Sequence, residues 1–256
     1  MAQLYNDTTI RLTMIYRFLP LILLFIFSFK PLNNLEQIKQ KGISTDPELI
    51  AANAKTSFIT KCKSVYSIID ANGYSLPSFE SFLAAFEGYE NLKLQGKLDS
   101  EILTIIDFSL SSVHERMWVV DMKTQKVLLR SLVSHGKNSG LEFATNFSNE
   151  NESYKSSLGF YVTGESYNGK HGLSLRLDGM EFGINHNARA RAVVIHGADY
   201  VSKSFIKNHG RLGRSQGCPA VPYEVHKELI ETIKGKSCVF IYHPTRAYVS
   251  KSKLVS

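Results

Sequence analysis

The 256-residue chain has only three cysteines and one tryptophan. Cys62, Cys218 and Cys238 are an odd number at wide spacing. That pattern argues against a disulfide framework and against a zinc knuckle. None of the eight histidines belongs to a His-Glu-x-x-His run, and His171, His186, His209 and His243 fall in separate segments. Neither a metal site nor a cofactor is therefore expected. A helix-turn-helix, a zinc finger and an aromatic RNA-binding signature are also missing, and the lysines are scattered. The net charge of +7 and the pI of about 9.2 thus describe a solvated basic surface, with no nucleic-acid partner expected. Internal repeats and low-complexity tracts are absent. With 43% hydrophobic and 21% charged residues, the chain can bury a core in one large domain, or in one domain with an appendage.

One segment is almost wholly apolar. Phe18–Phe29 is interrupted only by Pro20 and Ser28, follows Arg11 and Arg17, and is closed by Lys30-Pro31. It is shorter than the ~20 residues of a membrane-spanning helix and suits the core of a secretory signal. Met14 stands just before it, so residues 1–13 read as an upstream extension. No small-x-small cleavage site follows, which leaves an uncleaved membrane anchor as the other reading of residues 1–30. Either reading predicts an exported protein of the periplasm or cell envelope.

Residues 31–50 are polar, contain Pro31, Gly42 and Pro47, and read as a linker. Residues 51–100 read as a helical N-terminal region. A helical pattern runs from about Pro47 to the Ala71-Asn72-Gly73 stop. A second opens at Pro77-Ser78 and continues to about Gln95, with Phe79, Phe82, Leu83 and Phe86 on one face. From about Ile102 the pattern changes to strands: Ile102–Leu110, Met117–Met122, Lys126–Val133, Gly159–Gly164, Ser174–Leu177, Ala192–His196 and Val239–Tyr242. A helix over about Tyr223–Lys234 precedes the last of these. Many short strands with turns between them predict a mainly β body. Residues 247–256 read as a C-terminal tail.

Two segments carry chemistry. Val193-Val194-Ile195-His196-Gly197 is an apolar strand that ends on a histidine. Gly210 to Pro219 contains Arg211, Arg214, Ser215, Gln216, Gly217 and Cys218. Free cysteine is weakly ionised at neutral pH, so a nucleophilic thiol needs an imidazole or aligned N–H dipoles nearby. His196 is the candidate base and Cys218 the candidate nucleophile. Gly217 permits close backbone approach, and the N–H groups of Gly217 and Cys218 are candidate oxyanion donors. Each piece alone is weak, because a Cys-Pro pair in a loop is commonly structural and a strand histidine is more often a satisfied core residue. Cys62 and Cys238 read as buried small hydrophobes. Asn185 and Arg189 are candidates for the cleft mouth, His135 for a surface or lid position, and Tyr161, Tyr167 and Tyr200 for packing or ligand contact.

Ile195-His196-Gly197 and Ser215-Gln216-Gly217-Cys218 together resemble the signature of the L,D-transpeptidase (YkuD-type) catalytic domain. Further stretches, Ser134–Gly140, Phe147-Ser148-Asn149, Ser156–Gly159 and Gly183–Arg189, resemble a murein L,D-transpeptidase branch common in Bacteroidetes-type bacteria. The resemblance covers about Ile102–Tyr242 and implies a β-sandwich catalytic domain over residues 101–246. It implies Cys218 as nucleophile and His196 as base, oriented by the backbone carbonyl of Gly197. It further implies attack on the third residue of a peptidoglycan stem peptide, release of D-alanine, and transfer to an amine acceptor as a 3→3 cross-link. The alternatives are an L,D-carboxypeptidase, with water as acceptor, and a catalytically silent wall-binding module. This chain departs from the family pattern at Gln216, where many members carry His, Lys or Arg, and at Pro219-Ala220. Arg211 and Arg214 are the candidates to supply the missing charge for a substrate carboxylate.

Overall fold

The structure, a computed structural model, describes residues 46–255. The apolar run Phe18–Phe29 and most of the 31–50 segment lie outside the described residues. Among the described residues, no helix is long and apolar enough to cross a membrane. The chain divides into two units, Met1–Ala54 and Lys55–Ser256. Of the first, only Asp46 and the start of helix α1 (Pro47–Ile68) are described.

The phenylalanine-rich face of one helix meets Phe58 and Tyr66 of another first. Helix α2 (Phe79–Leu94) is capped by Ser78, whose side chain accepts from the Ser81 N–H at 3.1 Å. Its Phe82 and Phe86 rings stack at 5.8 Å, and Phe58 and Tyr66 of α1 pack on them at 5.7 and 5.2 Å. The stripe expected from the helical spacing is thus core. Cys62 is buried in the same cluster, and Cys238 lies in the sheet. Burial raises both thiols above the ordinary range, with Cys62 at about 11.

The mainly β body with a helical N-terminal region appears as expected. Eight strands follow in one mixed sheet: β1 (Ile102–Asp107), β2 (Met117–Asp121), β3 (Lys126–Ser131), β4 (Gly159–Gly169), β5 (Gly172–Gly179), β6 (Val194–Gly197), β7 (Ala220–Val221) and β8 (Cys238–Tyr242). Their order is β3-β2-β1-β8-β4-β5-β6-β7. The pairs β1–β8 and β6–β7 are parallel and the rest antiparallel. Past β3, Ser134 bridges Ala220 of β7, and Gly136 bridges Ser215. The two edges of the sheet are therefore tied together, which makes it barrel-like and leaves few open edge groups.

Strands β1, β2 and β8 are nearly continuous apolar runs because both of their faces are covered. Strand β3 alternates, with every second residue buried. Phe160 of β4 and Phe240 of β8 are paired in register and stack at 4.1 Å. Helix α4 (Tyr223–Ile233) packs against β5 and β6. Three elements are not apparent from the sequence: the two-residue strand β7, helix α3 (Lys203–His209), capped by Ser202 and ended by Gly210 at φ 70°, and helix α5 (Arg246–Val249).

Most polar groups described inside the body are matched to one another, although Thr104 Oγ1, Ser134 Oγ, His135 Nε2 and His243 Nδ1 are buried without a hydrogen-bond partner. Arg116 is fully buried; its Nε and Nη2 donate to the Val133 carbonyl and Nη1 to the Leu110 carbonyl. Its Nη2 also lies 2.8 Å from His135 Nδ1, and its guanidinium covers the Phe108 ring at 4.8 Å. A guanidinium has no lone pair to give, so Nδ1 is the acceptor and His135 is neutral. Burial, then the charge of Arg116, pushes the imidazole down to about 3. The expectation of a surface or lid histidine is therefore wrong: His135 is 1% exposed and structural. Asn185 is likewise buried. It donates to the Leu158 and Phe160 carbonyls and accepts from the Glu181 N–H, so it serves backbone geometry and not a cleft mouth. Arg189 is held by Asp178 and Glu165 on the surface.

Gly88 of α2 lies flat on the Phe160 ring. A Cβ there would fall 2.0 Å from Cζ of Phe160. Alanine favours the helix by about 1 kcal/mol over glycine, but overpacking a core costs about 1–3 kcal/mol. Gly88→Ala is therefore expected to lower stability and not raise it, read as a lower urea midpoint at unchanged slope.

Candidate active site

The register of two short strands brings the motif halves together. Strand β6 carries His196, which pairs with Ser174 of β5 on one side and with Ala220 of β7 on the other. Because β6 and β7 are parallel and His196 faces Ala220, residue 218 falls beside residue 194. The thiol is found there: the Val194 N–H donates to Cys218 Sγ at 3.5 Å, and Sγ lies 3.7 Å from the Ala192 carbonyl. In a strand, residues 194 and 196 lie on the same face. Cys218 and His196 consequently line one cavity of about 800 Å³.

The turn that carries Cys218 is fixed from inside and outside. Ser215 Oγ accepts from the Gly217 N–H at 3.0 Å and donates to the Cys218 carbonyl at 2.6 Å. Ser156 Oγ donates to the Gly217 carbonyl at 3.1 Å and accepts from the Gly136 N–H at 3.0 Å. Gly217 sits at φ 126°, where a side chain would be strained, and a Cβ would fall 2.8 Å from the Lys155 carbonyl. These bonds correct one expectation. The Gly217 N–H is spent within the turn and is not an oxyanion donor. Among the described residues, the N–H groups of Cys218 and Gln216 have no acceptor, so they are the free donors of this turn.

His196 is buried, and its Nδ1 lies 2.9 Å from the carbonyl of Gly197. A carbonyl only accepts, so Nδ1 carries the hydrogen and Nε2 is left as the basic nitrogen. Gly197 is required on packing grounds, since a Cβ there would lie 2.5 Å from the Tyr223 ring and 3.0 Å from that of His226. The ring of His171, at the tip of the β4–β5 hairpin, stacks on His196 at 4.4 Å with planes 25° apart. Burial lowers the His196 pKa, the Gly197 bond opposes this, and His171 and His226 lower it further. Cys218 is raised by burial, against the Val194 N–H and the charge of Arg191.

The remaining candidates separate. Gln216 is exposed and lines the cavity with Ser215 and Arg214. The Nη1 of Arg214 donates to the Lys137 and Gly140 carbonyls, so that arm of its fork holds a loop. Arg211 donates to the Leu212 carbonyl and is not part of the cavity wall. Tyr161 is fully buried, with its hydroxyl on the Ser157 carbonyl, whereas Tyr167 and Tyr200 line the cavity. Sequence reasoning missed Ser156, His171 and Arg191. Only the polar, glycine-flanked hairpin tip Gly169-Lys170-His171-Gly172 gave a local signal.

A comparison with curated proteins returns no match. Solved structures with a similar fold include an L,D-transpeptidase from Mycobacterium smegmatis, 12% identical with a TM-score of 0.35, covering 56% of this chain and 59% of that one. A second is the L,D-transpeptidase from Stackebrandtia nassauensis, 14% identical with a TM-score of 0.34, covering 74% and 78%. A third is the Enterococcus faecium L,D-transpeptidase C442S mutant, 17% identical with a TM-score of 0.32, covering 56% and 50%. The chain thus spans 59% of the length of the first of these. The family model for the L,D-transpeptidase catalytic domain matches residues 75–242, a span that takes in helix α2, all eight strands and both motif segments. This chain belongs to the L,D-transpeptidase catalytic domain family.

Proposed function

We propose that this protein is a peptidoglycan L,D-transpeptidase working outside the cytoplasm, with Cys218 as nucleophile and His196 as its base. The observation that carries the reading is the single cavity lined by the Cys218 thiol and by an imidazole whose Nδ1 is committed to the Gly197 carbonyl. The free Cys218 N–H adds a donor where negative charge would develop. Family membership supplies the substrate class, the stem peptides of the cell wall.

In the first half-reaction, Nε2 of His196 takes the thiol proton as sulfur attacks the carbonyl carbon of the third stem residue. A C–S bond forms and the carbonyl oxygen becomes an oxyanion. When the tetrahedral centre collapses, the C–N bond to D-alanine breaks and His196 passes its proton to the leaving amine. A thioester remains on Cys218. In the second half, a side-chain amine from a neighbouring stem attacks the thioester and His196 removes its proton. The C–S bond then breaks, the thiol is restored, and a 3→3 cross-link results.

The Cys218→Ala variant is expected to form no covalent adduct with a carbapenem or a muropeptide, read by intact-protein mass. His196→Gln should keep its melting curve and slow acylation about 10²–10⁴-fold. A fully acylating Cys218→Ala protein would overturn the reading. With stem tetrapeptides alone, the expected product is a 3→3 dimer with release of D-alanine. Accumulation of tripeptide without dimer would make water the acceptor.

The pH dependence follows from the shifts at the pair. His196 is held below the ordinary imidazole pKa, so its neutral, proton-accepting form persists to lower pH. The acid limb of the acylation rate is accordingly expected below the ordinary imidazole value of about 6.5. Removing the stacked ring, as in His171→Ala, should move that limb upward.

A further inference from the structure

Two residues before β6 begins at Val194, Ala192 gives its carbonyl to the thiol; immediately before it stands Arg191, half-buried and lining the same cavity as Cys218. All four of its terminal N–H groups are used. Nη1 donates to the Ser148 carbonyl at 2.8 Å and to Ser157 Oγ at 2.6 Å. Nη2 donates to Ser153 Oγ at 3.2 Å and to the Lys155 carbonyl at 2.6 Å. Every one of these acceptors is neutral. Among the described residues no carboxylate forms an ion pair with Arg191, whereas Arg189, two positions earlier, is paired with both Asp178 and Glu165.

The hydrogen bonds of Arg191 are thus satisfied and its charge is not. Taking a cation partly out of water without a counter-ion costs stability, and a nearby anion offsets the cost. The nucleophile turn lies against it: Nη2 is 3.4 Å from where a Cβ on Gly217 would stand. A sulfur that must ionise to attack is the anion this position can serve, and the influence is mutual. Burial lowers the Arg191 pKa, and Tyr161 and then the Cys218 thiolate oppose this; burial raises the Cys218 thiol, and the Val194 N–H and then Arg191 oppose that.

We propose that Arg191 is a positioning residue that supplies the fixed positive charge for the ionised Cys218 sulfur, while its spent fork fastens the 148–157 segment over the nucleophile turn. The inference rests on Cys218 as the nucleophile. This role is distinct from the substrate-carboxylate contact expected of Arg211 and Arg214, and neither of those is placed to serve the sulfur. Arg211 is outside the cavity wall, and Nη1 of Arg214 is turned to the Lys137 and Gly140 carbonyls. Other titratable groups face the same cavity. His196 comes from the sheet, and Tyr167, Lys170 and His171 from the hairpin. Glu152 and Tyr154 come from the loop clamped by Arg191, and Tyr200 and Arg214 from the wall beyond the thiol. Only Arg191 combines a permanent charge with terminal donors held entirely by neutral groups on that loop.

The test is the pH dependence of Cys218 alkylation by iodoacetamide on the full chain, mapped by peptide mass to exclude Cys62 and Cys238. Arg191→Met should raise the apparent thiol pKa by about one unit or more and slow alkylation roughly tenfold at neutral pH. Arg191→Lys keeps the charge and loses the fork, so its titration should stay near that of the parent protein. Ser157→Ala loosens the clamp with the charge intact and should leave the titration unmoved. Equal upward shifts for the Met and Lys variants would assign the effect to loop geometry and overturn the proposal, as would no shift in either. Should Arg191→Met fail to fold, a Lys variant titrating with the parent while Arg191→Gln shifts upward supports it, and coincidence of the two overturns it. If Cys218 alkylates with this dependence on Arg191 yet forms no adduct with carbapenem or muropeptide, the transpeptidase reading fails and the electrostatic assignment stands.

Discussion

Everything at the site depends on the parallel pairing of two very short strands. His196 faces Ala220, and that one register places Cys218 beside Val194. A shift by one residue would turn every side chain of β7 to the other face and carry the thiol away from the imidazole. Two residue pairs are too few to hold a register by themselves. The turn before β7 is therefore pinned elsewhere: Ser134 to Ala220, Lys137 to Ser215, and Ser156 to the Gly217 carbonyl. The bonds that close the sheet into a barrel-like body are the same bonds that position the Cys218 thiol. Closure and chemistry are not separable in this fold.

The electrostatics of the pair follow from where closure puts it. Burial raises the thiol and lowers the imidazole, so both shifts favour the uncharged forms in the free protein. A resting thiolate–imidazolium pair is thereby disfavoured. In the proposed acylation the proton moves as sulfur attacks, with the imidazole already neutral and ready to accept it. Such a resting state protects a lone thiol from oxidation, since the thiolate is the reactive form. It also raises the demand for positive charge at the moment of attack, when sulfur becomes or approaches an anion.

Much of the fold was legible because its elements are periodic and apolar. The Phe79, Phe82, Phe86 spacing predicts α2, and the apolar runs of β1, β2, β6 and β8 predict buried strands. The helix before β8 is also where its pattern puts it, as α4 (Tyr223–Ile233). What escaped has a common physical reason. The outer half of β4, from Gly164 to Gly169, is largely exposed and polar, and is a strand only through its pairing with β5. Helix α3 is two turns long with no buried residue, so it leaves no stripe to read. His135 sits in a glycine- and serine-rich stretch, and only Arg116, far away in the sequence, explains why it is buried. The sequence points the Gly217 N–H at an oxyanion because nothing in it shows the Ser215 hydroxyl folding back on that donor. At the site, the motif residues were readable, but the groups that hold and polarise them come from remote loops.

That distinction bears on the departure at Gln216. A cation within the motif would reach the thiol from an exposed position in the turn, where water screens it. Gln216 is exposed here, so a charge at that position would be weakened in the same way. Arg191 lies against the turn, half-buried, with its orientation fixed by four hydrogen bonds. A fixed charge with little water around it acts more strongly than a mobile exposed one, because neither screening nor side-chain entropy dilutes it. Gln216, relieved of that role, is left as a neutral donor and acceptor on the cavity wall. Its side chain can meet a peptide amide without adding a charge that must be desolvated. The unusual residue in the motif and the unpaired arginine outside it are then two parts of one arrangement, with polarisation of the sulfur assigned to the loop side and contact with the peptide to the turn.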